Sequence, residues 1–463
     1  MAHSSTDIPR LAHEMAGADF GDARLSRRVG LMVEKIAQAP ELSLPRLFDV
    51  AELEAAYRFF GNQAVTPEKI LEPHVNGTVR RMRAAGDCLV VHDTSTFSFR
   101  PDGRRKGLGR LKTAGQGFFG HVSLAMTDDG TRTPLGVLDI STIVRDDESD
   151  KSERLRWGEQ VERVDQRCAD VESVIHLMDR EADDYALFCL LQRGGHRFVI
   201  RLMHDRLLVA DEPGAPRKLD EALARVTATT TREVPLSRRP AALRSPKQIK
   251  AHPTRTGRLA TLAFGATTIT LQRPTTQLKT LPSSVTLNVV RVWEIDTPEG
   301  EEPVEWMLAT SEPIDTEQDA LRAVDRYRAR WIIEEFFKAL KTGCSYEERQ
   351  LEDFEGLTNA LALFAPIAWH LLLLRSTARA QPEAPALSVV SSTQLEVLRV
   401  LGRMKLSAAP TSREAMLAIA ALGGHIKYNG EPGWLTLARG YHELLTLTRG
   451  WAAAKLQPAR DQR

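Results

Sequence analysis

Apolar residues recur at helical spacing through the first seventy positions. GDARLSRRVGLMVEKIAQ (21–38) predicts a helix with Arg24, Arg27 and Arg28 on nearly one face, because side chains three and four apart are neighbours. Residues 49–82 predict two more helices, broken around Gly61 and Pro67. The pattern then changes to strands. In CLVVHDTSTFSF (88–99) an apolar run ends at Asp93, and residues 118–144 predict two strands joined at Asp129-Gly130. A polar helix over 152–168 follows. VESVIHLMDREADDYALFCLLQRGGHRFVIRL (171–202) predicts strand, helix, strand, with Asp179 closing the first strand. This order defines an α/β arrangement. From about 205 to 310 the chain is rich in Thr, Val and Leu in alternation, which predicts an inserted β subdomain with a basic run at Arg238, Arg239, Arg244, Lys247 and Lys250. A long helix is expected from Thr316 to Thr342, ending near Gly343. The apolar run Ala360–Leu374 contains Pro366 and His370, is short for a membrane span, and predicts a buried core helix. Ala378–Ala386 has the composition of a linker, and helices broken at Pro410, Gly423-Gly424 and Pro432-Gly433 complete the chain.

Composition narrows the class. At 463 residues the chain exceeds one ordinary core, and 42% hydrophobic with 27% charged residues fits a globular protein. The formal net charge is +1, so any nucleic-acid contact must come from local basic patches. One such patch is Arg100, Arg104, Arg105, Lys106, Arg110 and Lys112, expected as a glycine-rich loop that orders on DNA. Cys88, Cys168, Cys189 and Cys344 form no C-x-x-C pair, which argues against a zinc cage or disulfide framework and fits a reducing cytoplasm. The first residues lack the apolar core and cleavage pattern of a signal peptide.

The chemistry concentrates in YRARWIIEEFFKALK. Tyr327, Arg330, Glu334, Lys338 and Lys341 share one face of a continuous helix, an acid among cations and a phenol. A Glu334–Lys338 surface ion pair is the plain alternative. Asp93 and Asp179 each follow an apolar strand, where side chains reach the carboxyl edge of a sheet and ligands bind. Three carboxylates from two strands and a helix suit a pair of Mg²⁺ ions, which prefer oxygen ligands and drive in-line displacement at phosphorus. Asp129, Asp139 and Asp183 are expected to be turn or cap residues instead.

Tyr327, Arg330, Glu334 and Lys341 reproduce the Tyr-x₂-Arg-x₃-Glu-x₆-Lys signature of bacterial DDE transposases of the insertion-sequence-four type, which this chain resembles over most of its length. DREAD at 179–183, VVHDTSTFSF, GDARLSRR, AYRFF and RFVIR match in kind and order. The resemblance implies an RNase H-like catalytic core interrupted by the β insertion. It implies that Asp93, Asp179 and Glu334 hold two Mg²⁺ ions, with Mn²⁺ able to substitute. Arg330 and Lys341 would grip phosphates beside the scissile bond, Tyr327 would hydrogen-bond a phosphate, and Lys338 would add a contact. Trp306 would stack on a base flipped from the duplex, and Arg201 would touch the same strand. Arg24, Arg27 and Arg28 would bind the transposon end.

The expected organisation is an N-terminal helical DNA-binding domain over 1–70, a catalytic domain over 71–380 with its β insertion at about 205–310, and a C-terminal helical dimerisation region over 381–463. The expected function is cut-and-paste transposition of double-stranded DNA by a homodimer, through a hairpin intermediate, in the cytoplasm and away from membranes. The alternatives are an RNase H-like nuclease that never joins ends and a catalytically silent DNA-binding inhibitor. A two-carboxylate glycosidase lacks the aromatic cleft pattern and leaves the cationic helix face unexplained.

Overall fold

The computed structural model describes residues 8–100, 105–111, 115–144, 150–210, 215–236, 238–239, 254–426 and 430–456. Arg104, Lys112, Arg244, Lys247 and Lys250 of the basic stretches lie outside the described residues. The chain divides into two compact units. The first holds residues 1–150, 162–174 and 331–463; the second holds 151–161 and 175–330.

In the first unit, helices α1 (Ile8–Met15), α2 (Ala23–Gln38), α3 (Leu44–Leu47), α4 (Val50–Phe60) and α5 (Pro67–Ala85) precede the strands. Each of the longer starts is specified locally. Asp22 caps α2, Asp49 and Glu52 form a capping box on α4, and Thr66 with Pro67 opens α5. Strands β1 (Asp87–Phe99), β2 (Gly109–Arg110), β3 (Gln116–Thr127) and β4 (Pro134–Ile143) are antiparallel, with β3 paired to the other three. The β3–β4 hairpin turns at Asp129, whose carboxylate accepts the Thr131 and Arg132 backbone N–H groups. Asp129 is thus the turn residue its sequence predicts.

Helix α6 (Asp150–Arg167) leads to the second unit. There β5 (Ser173–Met178), α7 (Tyr185–Gly194) and β6 (Arg197–Arg201) form a parallel β-α-β unit. After a short helix α8 (Leu219–Ala224) come β7 (Thr230–Leu236), β8 (Arg258–Gln272), β9 (Ser284–Ile295) and β10 (Glu305–Thr310). These strands were expected to form a subdomain of their own. Instead β10 pairs with β6, Leu308 opposite Arg201, and the sheet runs on in the order β5-β6-β10-β9-β8-β7. The reason is that β6 offers an unpaired strand edge, and β10 satisfies its backbone groups. Phe188, Leu191, Phe198 and Ile200 accordingly share one apolar cluster with Ile269, Leu271, Val285 and Leu287. Helix α9 (Glu317–Ala329) closes this unit.

Back in the first unit, α10 (Ile332–Lys338) precedes α11 (Phe354–Ala380), which is buried along its length against α5 and β4. The expected core helix over 360–374 is therefore present, longer at both ends. Helices α12 (Ser392–Leu401), α13 (Ser412–Leu422) and α14 (Trp434–Leu456) follow, with breaks where Pro410, Gly423 and Gly433 place them. The segment expected as a linker is not one: α11 continues to Ala380, Ala386 is buried, and the Ala386 and Ser412 N–H groups bond to Pro410 and Ala384. The loop after β1 is also partly fixed. Arg105 donates to the Arg349 carbonyl (3.0 Å) and lies 5.1 Å from the Phe99 ring centre, while Lys106 exchanges backbone bonds with Glu352 and Phe354.

His370 is buried in α11 beside the Tyr441 hydroxyl (3.3 Å), and burial pushes its imidazole pKa down to about 4. Its folded pKa lies below the unfolded value, so the unfolded chain binds the extra proton first. Stability present at neutral pH is lost as pH falls through ~6.5 towards ~4, by about 3 kcal/mol when complete. Denaturation midpoints across this range should fall more steeply for wild type than for His370→Gln; equal slopes would assign the acid sensitivity elsewhere.

Candidate active site and DNA-binding surface

Two of the three singled-out carboxylates belong to the first unit. Asp93 does not close its strand as expected. It sits inside β1 opposite Val122, because Phe97 and Phe99 keep alternating inward and carry the strand on to residue 99. Asp93 is half-buried, and its Oδ1 accepts the Thr94 N–H at 2.8 Å. Glu334 lies on α10, which buries Ile333, Phe336 and Phe337 and packs against β1 through a Phe337–Phe97 edge contact of 6.5 Å. Glu334 is half-buried and has no ion pair or side-chain hydrogen bond among the described residues. The Glu334–Lys338 pair is not what forms. Lys338 bonds Glu335 (2.9 Å), which also meets Arg375 (3.3 Å) and Arg379 (3.8 Å) of α11. The ammonium of Lys338 lies 5.4 Å from the Trp331 ring centre.

The expected single helix over 316–342 is three pieces. Helix α9 ends at Ala329, α10 begins at Ile332, and residues Ala339–Gly343 widen into a π turn. Such a turn takes up an extra residue and rotates the chain beyond it, so the one-face argument fails at Lys341. Lys341 instead turns inward. Its Nζ donates to the Thr96 carbonyl, lies 3.6 Å from Glu347 Oε1 and 5.2 Å from the Phe97 ring centre. Burial lowers its pKa, opposed by the Glu347 and Glu334 carboxylates.

The second unit holds the other half of the residues. Asp179 follows β5 directly and caps the turn Arg180–Ala182, accepting the Glu181 N–H at 2.8 Å. Tyr327 is buried at the end of α9, edge-on to Trp306 of β10 with ring centres 5.9 Å apart. The Arg330 guanidinium is 5.9 Å from the Tyr327 ring centre. Burial raises the Tyr327 pKa; Arg330 and Arg201 pull it down and Asp179 pushes it up. Asp179, Arg201, Trp306, Tyr327 and Arg330 therefore form one neighbourhood, with Arg201 also reaching the Glu305 carbonyl at 3.5 Å. Nearby acids have other duties. Asp183 is buried, takes Arg206 at 2.7 Å and accepts the Met203 and His204 N–H groups. In the first unit Asp139 meets Arg163 (2.9 Å) and Arg167 (3.4 Å). Asp139 is a buried ion-pair partner rather than the turn or cap residue expected, whereas Asp183 does cap the short turn Arg180–Ala182 and pairs with Arg206 as well.

Arg24, Arg27 and Arg28 line a groove of about 650 Å³ between α2 and α4. Arg58 extends its cationic wall, Lys35 is paired with Glu52 in the same lining, and Leu31, Met32 and Phe48 make part of it apolar. Arg58 escaped the sequence reading, although AYRFF contains it; only helix packing brings it opposite α2.

The family model for the transposase DNA-binding domain matches residues 10–65, and that for the transposase DDE domain matches residues 84–367. The second match covers more than half of the chain, and the protein belongs to the DDE transposases. Among solved structures, the cryo-EM piggyBac transposase synaptic complex with hairpin DNA is similar at 9% identity, covering 87% of this chain and 61% of that one with a TM-score of 0.35. The chain thus spans less than two thirds of that protein.

The two DREAD aspartates should separate by stability. Asp183→Ala strands Arg206 and should destabilise the second unit by about 3–5 kcal/mol, whereas Asp179→Ala loses one cap bond worth about 1 kcal/mol. Thermal denaturation of both variants checks this; similar losses would mean that Asp179 carries structural weight.

Proposed function

We propose that this DDE transposase performs cut-and-paste transposition, with an RNase H-like core of the insertion-sequence-four type similar to that of the transposon five enzyme. The observation that carries the reading is Glu334. Half-buried on the helix of the Tyr327, Arg330, Glu334, Lys341 signature, it makes no close ion pair among the described residues and acts on the Lys341 ammonium at longer range, while the adjacent Glu335 pairs with Lys338 and Arg375. A carboxylate with no closely bound cation suits a cationic ligand. The donor set of Asp93, Asp179 and Glu334 is oxygen only, which fits Mg²⁺, with Mn²⁺ as a substitute. Two such ions, when bound, polarise the phosphodiester and activate the attacking oxygen.

The side chains supply the rest. Arg330 and Lys341 hold phosphates, Tyr327 donates its hydroxyl to one, and Lys338 adds a contact at the exposed end of α10. Trp306 stacks on an extruded base, with Arg201 against the same strand. Water first nicks one strand. The freed 3′-hydroxyl attacks the opposite strand to form a hairpin, a second water opens it, and the 3′-ends join target DNA. Every step is the same displacement, so one set of residues serves all. The α2–α4 groove binds the transposon end as part of a DNA-binding domain over 1–70; the catalytic domain extends over 71–380, and helices within 381–463 pair two protomers in the synaptic complex.

Asp93→Asn, Asp179→Asn and Glu334→Gln should each abolish Mg²⁺- or Mn²⁺-dependent nicking and strand transfer of pre-cut ends while end binding persists in a gel shift. Cleavage without joined product would favour a plain nuclease, and unchanged activity in Glu334→Gln would remove the catalytic assignment. Replacing Arg24, Arg27 and Arg28 with Ala should weaken end binding and flatten its log–log salt dependence by about 1 for every phosphate no longer neutralised. An unaltered slope would place the DNA elsewhere.

A further inference from the structure

Lys341 and Glu347 grip the same stretch of β1 from opposite polarities. The Lys341 ammonium donates to the Thr96 carbonyl, and Glu347 Oε1 accepts the Ser98 N–H at 2.8 Å. The two side chains then meet each other at 3.6 Å, closing a ring of charge and backbone around Phe97. An ammonium has three N–H bonds. Thr96 takes the direction of one and Glu347 stands 3.6 Å off another, while the Glu334 carboxylate also acts on the same ammonium. The mount beneath Glu347 is rigid. Ser345 turns the chain back with φ +47°, a conformation few non-glycine residues adopt. Tyr346 is buried and its hydroxyl donates to the Leu357 carbonyl at 2.7 Å. Arg349 is buried among the carbonyls of Pro40, Leu42 and Cys344.

We infer that Glu347 is a positioning residue for the transposase reaction: held by its own turn and by Ser98, it fixes the Lys341 ammonium so that one of its N–H bonds meets a phosphate of the DNA being cut. This rests on the catalytic reading of Lys341 given above. A lysine side chain has four rotatable bonds and loses most of its freedom on fixing one point charge. A carboxylate that does this before DNA arrives leaves less ordering for the reacting complex. Glu347 acts through Lys341 and so should matter only while Lys341 is present.

The test compares Glu347→Gln, Lys341→Ala and the double variant, using Mg²⁺-dependent nicking of a supercoiled plasmid that carries the DNA flanking the reading frame. Gel shifts on the same DNA without metal measure binding. Glu347→Gln keeps an acceptor for Ser98 and removes the charge facing Lys341. Its nicking rate constant should fall roughly tenfold or more, with binding within about twofold of wild type. The double variant should be no slower than Lys341→Ala, because the two residues act as one unit. Glu347→Asp should recover part of the rate. A wild-type rate in Glu347→Gln, a parallel fall in rate and binding, or a further multiplicative loss in the double variant overturns the inference. Should Glu347→Gln lower the melting temperature markedly, Glu347→Asp decides: it retains charge but withdraws it, and a wild-type rate there also overturns the inference. A wild-type rate in Lys341→Ala would instead remove the catalytic reading itself.

Discussion

A helix that is apolar on every side has to be surrounded, and α11 imposes that condition on the first unit. Its residues Leu357–Leu374 are buried with hardly a break, so no side is left to face water. Burial of Leu, Ile, Phe and Trp side chains contributes about 1.5–3 kcal/mol each, and this is the main force holding α5, β4 and the π turn around one axis. Two donors that enter this core find carbonyl partners. The Trp369 indole N–H donates to the Pro134 carbonyl at 3.0 Å, and Asn359 donates to the carbonyls of Phe60 and Val65. Helix α10 and the turn at 346–348 are mounted on this same core. Tyr346, which meets both Phe97 and Phe364, is the aromatic link between the core helix and β1.

The carboxylates sort by what neutralises them. Asp139, Asp183, Glu294, Glu312 and Glu335 are buried or nearly so, and each has an arginine within hydrogen-bond range or close to it. Desolvation forces this, since an unpaired buried charge costs several kcal/mol. Glu334 breaks the pattern without being fully exposed. Two adjacent glutamates on one short helix thus face different environments: Glu335 turns to the arginines of α11, and Glu334 makes no close ion pair among the described residues but acts on the Lys341 ammonium.

The legible part of the fold was the part set by local rules. The hairpin, the helix breaks and the β-α-β order came from short-range chemistry, as at Asp129, Pro67 and Gly423. What failed was any inference that assumed an element continued or stopped where its composition changed. The apolar run of β1 ends at Asp93, yet the strand goes on, because pairing with β3 extends through Phe97 and Phe99. The signature helix has unbroken helical spacing, yet it divides at Arg330–Trp331 and again at Ala339. Asp139 and Asp183 carry no sequence mark of their arginine partners, which lie more than twenty positions away.

By itself the sequence determined the family. Tyr327, Arg330, Glu334 and Lys341 at fixed spacing, with DREAD upstream, are a covalent property of the chain and need no folding to be read. It also determined the alternation of helices and strands, since hydrophobic period is local. Tertiary structure alone decided how those residues are engaged. It gave Lys338 to Glu335 rather than Glu334, turned Lys341 under Phe97 towards Glu347, and set Tyr327 against Trp306. Such partnerships depend on the rotation of one packed element against another. A rotation of that kind minimises the energy of the whole core, so no window of neighbouring residues encodes it.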